Sequence, residues 1–183
     1  MTQEVRGCFI CKSPKLKVTH QGKRLFFRCC VCGNTNPRFI ELAGPTKVRN
    51  TAQGPLHFSA GALIEQNGKY LISKRTHWPF LYATIGGHVD KHETMLQALS
   101  REVKEETGLT IKNRQLIFQG MIDPDPCTRG VNRHFWHLYL IHTRGMFKRN
   151  PHESIRLRWY TKSQMARLHF TPPVAYILRK IKF

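Results

Sequence analysis

The sequence predicts an α+β protein, a mixed α and β domain behind a small cysteine-bearing unit. Three observations carry this. Two Cys-x2-Cys pairs stand within the first 32 residues. Strand-like runs bounded by turn signals follow from Phe58 onward, and one well-patterned helix interrupts them at Thr94–Thr107. A chain of 183 residues holds one main domain and an appendage, and 40% hydrophobic residues suffice for a core. The predicted organisation is a first unit at 1–36, a linker at 37–56 and the main domain at 57–183.

In the first unit, Cys8, Cys11, Cys29 and Cys32 are spaced C-x2-C-x17-C-x2-C, within the range of a four-thiolate zinc site. A two-residue gap lets two sulfurs converge on one ion, and two such knuckles complete a tetrahedron. The segment Lys15–Arg28 reads as a hairpin turning at Gln21-Gly22. So short a unit cannot build a stable core alone, and structural Zn2+ supplies the missing stability. Disulfides or inert buried thiols are the alternatives; disulfides need an oxidising compartment, which nothing in the sequence indicates. Cys30 breaks the two-residue gap that Cys29 keeps, and Cys127 reads as an ordinary loop thiol. Residues 37–56 read as a linker because Pro37, Gly44, Pro45, Gly54 and Pro55 punctuate them and no apolar period survives.

In the main domain, Phe58–Ile64 and Tyr70–Arg75 read as strands joined at Gln66-Asn67-Gly68, a hairpin signal. On the helix Thr94–Thr107, Leu96, Leu99 and Val103 recur at i, i+3 and i+7, and Gly108 ends it. Further strands are expected at Leu116–Ile122, Phe135–His142 and Ile155–Tyr160, and short helices at Ser163–Leu168 and after Thr171-Pro172. No apolar run approaches a membrane span, and Met1–Arg6 leads into the cysteines without a signal-peptide stretch. A cytoplasmic protein without membrane contact is the expectation.

The chain carries 30 Lys plus Arg against 11 Asp plus Glu, a net charge of +19. Such a balance favours acidic partners: nucleotides, nucleic acid or an anionic surface. Residues 1–56 hold ten bases and two acids, and residues 144–183 ten bases and one acid. Between Gly87 and Gly108 the sign reverses, with five acids against three bases. A solvated helix would account for that island; a metal site among phosphate-binding surfaces would also need it.

Glu102, Glu105 and Glu106 fall at i, i+3 and i+4, within one sector of the helix beside its apolar stripe. Three carboxylates so close repel one another, and a divalent cation offsets that repulsion. All-oxygen ligands suit Mg2+ or Mn2+. Arg101 can orient one carboxylate by a charge-assisted bond. Gly86-Gly87 ahead of the helix allows close backbone approach to a phosphate.

The run GHVDKHETMLQALSREVKEETGL over residues 87–109 resembles the Nudix box, G-x5-E-x7-R-E-U-x-E-E-x-G-U with U aliphatic. Gly87, Glu93, Arg101, Glu102, Val103, Glu105, Glu106, Gly108 and Leu109 occupy its fixed positions. A looser resemblance runs from His57 to Leu168. It implies an α/β/α sandwich around a mixed sheet and cleavage, by water, of a nucleoside diphosphate linked to another group. It implies that Glu102, Glu105 and Glu106 bind Mg2+ or Mn2+ and that Arg101 orients them. Gly87 then shapes the loop and Glu93 supports the loop–helix geometry. Family members take a further base or ligand from a later loop, and Glu153, ahead of a Trp-containing strand, is the candidate here. Ile85 replaces the Pro that often precedes the paired glycines.

A zinc ribbon ahead of such a domain resembles the NADH pyrophosphatase branch. That branch's Ser-Gln-Pro-Trp-Pro-Phe-Pro run is missing; Asp123–Arg129 stands downstream of the box instead. A small nucleotide is therefore the first expected substrate, with Gly86, Gly87 and Trp78 as binding residues, Trp78 stacking on a base. An RNA 5′ end is the second, since Lys12, Lys15, Lys17, Lys23, Arg24 and Arg28 crowd the ribbon. A nucleic-acid-binding protein with a vestigial Nudix domain is the third reading, and the intact glutamates argue against it. The histidines show no ligand spacing; His134 and His137 read as strand and rim residues, and the oligomeric state is left open.

Overall fold

The computed structural model describes residues 4–183; the first three, part of the N-terminal stretch read for a signal sequence, lie outside the described residues. The cysteine unit is all β. Strand β1 (Val5–Cys8) precedes the hairpin of β2 (Leu16–Gln21) and β3 (Arg24–Cys29), which β4 (Thr35–Asn36) extends. Gly22, at φ 59°, makes the turn where Gln21-Gly22 predicts it. Residues 37–56 differ from the linker expected. They form β5 (Phe39–Ala43), antiparallel to β1, and β6 (Val48–Thr51), which joins the main sheet. Neither strand alternates cleanly between buried and exposed residues, so no two-residue period betrays them.

The main sheet is built on β7 (Gly54–Gln66), continued by β8 (Lys69–Arg75) through a turn with Asn67 at φ 53° and Gly68 at φ 71°. Positive φ at both central residues is the hairpin geometry that Asn-Gly favours. Then follow β9 (Tyr82–Ala83), β10 (Ile85–His88), α1 (Met95–Thr107), β11 (Thr110–Ile122), β12 (His134–Arg144) and β13 (Ser154–Tyr160). Helices α2 (Lys162–Met165) and α3 (Pro172–Lys180) close the chain. The strand order is β11-β12-β7-β8-β13. Strands β12 and β7 run parallel and the other pairs antiparallel, so the sheet is mixed. One side of β7 pairs in succession with β6, β10 and β8, which sets the glycine strand β10 against its middle.

The two faces of the sheet are covered by different helices. Ala60, Ala62 and Ile64 of β7 pack with Ala98, Leu99 and Val103 of α1. Leu63, one residue out of phase, faces Met165 of α2 with Ile72, and Leu138 meets Ile177 of α3. This is the α/β/α sandwich. Burying Leu99 and Val103 contributes about 1.5–3 kcal/mol each. The predicted stripe is rotated slightly: Ala98, Leu99 and Val103 are buried, whereas Leu96 is 38% exposed. Thr94 caps α1 through a reciprocal box with Gln97, and Gly108 ends it at φ 72°.

Candidate active site

The loop–helix segment is organised around Arg101. Its Nε and one terminal nitrogen grip both oxygens of Glu93, at 2.7 and 3.0 Å. The same terminal nitrogen donates to the His88 carbonyl at 3.0 Å, and the other donates to Glu102 at 2.8 Å and Glu105 at 3.2 Å. Arg101 therefore serves three carboxylates, not the one expected, and ties α1 to β10. Glu93 in turn accepts from the Asp90 N–H at 3.1 Å, which fixes the loop. Glu106 is buried and accepts from the Gly86 N–H at 2.8 Å. A Cβ on Gly87 would overlap the Glu102 carboxylate, and one on Gly86, at φ 144°, would strike the Ala60 backbone. Gly86 is thus required by its backbone contact and positive φ, and Gly87 leaves room for the Glu102 carboxylate.

Glu102 and Glu105 open onto a polar cavity of about 270 Å3, walled by Gly86, Gly87 and His88 on one side and Glu153 on another. Glu153 is thereby brought to the box carboxylates, although it lies far along the chain. His77 Nδ1 stands 3.7 Å from it. Burial pushes the Glu102 carboxyl up to about 7 against the pull of Arg101, with Glu105 and Glu153 adding to the rise. Burial also raises Glu106 well above the carboxylate range, helped by Glu102 and opposed by the Gly86 N–H. The site is a cluster of acids held at a cost in desolvation and repulsion, which a hard divalent cation relieves.

Facing the acids are cations that no spacing rule in the sequence singles out. Arg6, Arg75 and Arg129 reach the same cavity, with Phe27 and Phe39 of the cysteine unit. Arg129 is held by Glu41 at 3.0 Å. The cysteine unit is thus part of the cavity wall. It is fastened there by the Leu25 N–H on the Thr76 carbonyl, the Phe39 N–H on the Thr128 carbonyl and Phe26 against Phe80.

Across Gly86-Gly87 lies a second, mainly apolar cavity of about 250 Å3, near the roughly 300 Å3 lower end of ligand sites. Trp78, Pro79, Pro126 and Trp136 line it. Trp78 does border a cavity, but the Arg38 guanidinium sits 5.1 Å from its ring centre.

The four ribbon sulfurs converge. Cys8 Sγ lies 3.6 Å from Cys32 Sγ, and Cys11 Sγ 3.6 Å from Cys29 Sγ. Zinc–sulfur bonds of about 2.3 Å set tetrahedral edges of about 3.8 Å, so the group can hold zinc. The N–H groups of Cys32 and Val31 lower the Cys29 thiol to about 6, and the Ile10 N–H donates to Cys8 Sγ. Cys30 is exposed and outside the group. Cys127 does lie in a loop and His134 does begin β12, but the structure adds that with His57 and His88 they place four ligand atoms within 4.8 Å of one another. No spacing along the chain announces this, because the four residues come from three strands and a loop.

A family profile described as NUDIX domain matches residues 55–181. The chain is 44% identical over 57 residues to an ADP-ribose pyrophosphatase of Methanocaldococcus jannaschii, covering 30% of this chain and 34% of that protein. It is 24% identical over 153 residues to the NAD-capped RNA hydrolase NudC of Yersinia enterocolitica, covering 83% of this chain and 50% of that protein. The chain thus spans half or less of the length of these curated relatives. Among solved structures, the MutT NUDIX hydrolase of Burkholderia pseudomallei aligns with a TM-score of 0.59 at 25% identity, over 68% of this chain and 96% of that one. With the profile spanning most of the chain and the box geometry intact, the chain belongs to the Nudix family.

Proposed function

We propose that this protein is a Mg2+- or Mn2+-dependent hydrolase of the pyrophosphate bond in a nucleoside diphosphate linked to another group. One observation carries the reading: Glu102, Glu105 and Glu153 share a polar cavity with Gly86-Gly87 and Arg129. Glu102, Glu105 and Glu106 would hold the cation, which supplies positive charge against the diphosphate and polarises water. Arg101 keeps two of these carboxylates aimed. Arg75 and Arg129 bind phosphate oxygens, and the Gly86-Gly87 backbone lets the diphosphate lie close. Glu153 takes the proton from the attacking water. A phosphorus–oxygen bond to water forms, the bridging one breaks, and two phosphate monoesters leave. The base occupies the apolar cavity beside Trp78 and Trp136.

Cys8, Cys11, Cys29 and Cys32 hold a structural Zn2+ that keeps Phe27 and Phe39 against the site. Four thiolates leave that ion no open position for catalysis. We place the protein in the cytoplasm, where cysteines stay reduced and available to a metal; no helix among the described residues is long and apolar enough to cross a membrane.

An RNA 5′ end is the second reading. Lys23, on the exposed turn of the ribbon hairpin, lines a groove with His77 and Glu153, and Glu153 also borders the catalytic cavity. A groove with Lys23 and Arg149 on its walls therefore adjoins the site, a path for a strand bearing a reactive 5′ diphosphate. The relatives named as NAD-capped RNA hydrolases agree with this reading. The test is a panel with Mg2+ or Mn2+: NADH, ADP-ribose, dinucleoside polyphosphates, nucleoside triphosphates, and 5′-triphosphate or capped RNA, with products identified by mass. Cleavage of the anhydride in one of them supports the proposal. Binding without turnover of any would favour a vestigial, nucleic-acid-binding domain.

A further inference from the structure

We propose that His57, His88, Cys127 and His134 form a second zinc-type metal site, closed by four protein ligands, that pins the loop at 123–133 against the sheet. All four ligand atoms lie within 4.8 Å of one another, and two of the edges match a tetrahedron. His88 Nε2 lies 3.3 Å from His134 Nε2, and Cys127 Sγ 3.8 Å from His57 Nδ1. Zinc–nitrogen bonds of about 2.0–2.1 Å and a zinc–sulfur bond of about 2.3 Å set edges of about 3.4 Å and about 3.6 Å.

The fold positions the ligands rigidly. His57 of β7 and His134 of β12 are direct cross-strand partners, and both are 2% exposed. His88 ends β10, paired with Ser59 two residues along β7. The three rings meet at centroid separations of 4.9–5.5 Å. Cys127 is delivered by a turn in which its N–H bonds the Val131 carbonyl. His57 and His134 are buried while His88 and Cys127 are partly so, and the buried His134 Nδ1 has no well-aligned hydrogen-bond partner; a bound cation would fix the orientation of these rings.

The surroundings fit as well. Asp125 Oδ2 stands 3.2 Å from His134 Nδ1 and accepts from Trp136 Nε1 at 2.6 Å. A carboxylate behind a histidine's far nitrogen is the usual support of a metal-bound imidazole. One thiolate and Asp125 together neutralise a divalent ion. Imidazole and thiolate select a zinc-type metal over the Mg2+ or Mn2+ suited to the box glutamates. Four protein ligands leave no position for substrate, so the site is structural. Its effect is on cavity shape: the pinned loop contributes Asp125–Thr128 to the apolar cavity, and Thr128 and Arg129 to the polar one.

The test is the zinc content of the full chain purified without chelator, combined with zinc-edge X-ray absorption. Two zinc ions per chain are expected, with an averaged shell of nitrogen and sulfur. The Cys127→Ser/His57→Gln variant should retain one ion with sulfur only. The Cys8→Ser variant should retain one ion with three nitrogens and one sulfur. One ion in the parent protein, with an all-sulfur shell and no second equivalent taken up from added Zn2+, would overturn the proposal. So would two ions in the double variant. The absorption shell of the parent needs no variant and decides the matter if a variant misfolds.

Discussion

Replacing Glu102 with Gln should stabilise the protein at pH 8 when Mg2+ and Mn2+ are withheld. Burial raises this carboxyl to about 7 in the folded chain, against 4.5 for the free group. The folded state therefore binds the proton more tightly than the unfolded state, so stability is lost as pH rises from about 4.5 through about 7. Two and a half pH units at 1.36 kcal/mol each make a loss of about 3 kcal/mol. Gln imitates the protonated acid and keeps an oxygen for Arg101, so the variant escapes the loss. Urea unfolding of both proteins between pH 4.5 and 8, with ribbon zinc left in place, measures it. The curves should nearly coincide at the acid end and separate by up to about 3 kcal/mol above pH 7. Saturating Mn2+ should close the gap, because the charged form then has a partner. Parallel curves at every pH would refute the argument that Glu102 is held at the expense of the fold.

The remaining predictions concern chemistry and metal. Glu105→Gln and Glu106→Gln should each lower turnover at saturating Mg2+ on the order of 10²-fold or more with unchanged circular dichroism; near-normal rates in both would remove the ligand assignment. Gly87→Ala should fold yet lose much of its Mn2+ affinity, measured by titration calorimetry, because its methyl displaces the Glu102 carboxylate. Cys8→Ser or Cys29→Ser should release one zinc and also raise KM, since Phe27 and Phe39 line the cavity; a lost zinc with unaltered kinetics would make the ribbon a bystander. Reversing the charge of Lys15, Lys17 and Lys23 together should flatten the slope of log RNA affinity against log salt by about 2. Cleavage of a small dinucleotide by that variant should barely change.

What was legible in the sequence is what depends on neighbours along the chain. Glu102, Glu105 and Glu106 lie within two turns of one helix, and Asn67-Gly68 sets a turn by its own backbone preference, so spacing alone reveals both. The cysteine pairs are local in the same sense. Strand β5 is hidden because its partner β1 lies far earlier in the chain, ahead of the ribbon hairpin, and β6, although it forms a hairpin with the adjoining β7, is hidden because its own residues follow no period. Arg75 and Arg129 escaped because an arginine in a basic chain looks the same on a cavity wall as on the surface. Spacing puts Leu96 in the apolar stripe, yet the helix buries Ala98 with Leu99 and Val103 and leaves Leu96 partly exposed, because helical spacing fixes the stripe only to within a residue or so.

The four-residue strand β10 shows why the site and the second metal cluster share a fate. Its backbone serves the acids: the Gly86 N–H holds Glu106, bare Gly87 leaves room for Glu102, and the His88 carbonyl accepts from Arg101. Its last side chain serves the other cluster, where the His88 ring meets His134 and His57. Beyond its pairing with β7, the strand is held by Ile85 in the core and by Arg101 and Glu106 of α1, the same carboxylate machinery it positions. Anchoring it at the His88 end fixes the height of Gly86 and Gly87 above β7, and with it the position of two carboxylates. Loss of the histidine–cysteine metal would therefore be felt as weaker Mn2+ binding at the glutamates, though no ligand is common to the two sites. The link is steric, carried by one segment of backbone, and it predicts that His88→Ala lowers Mn2+ affinity while leaving the ribbon zinc in place.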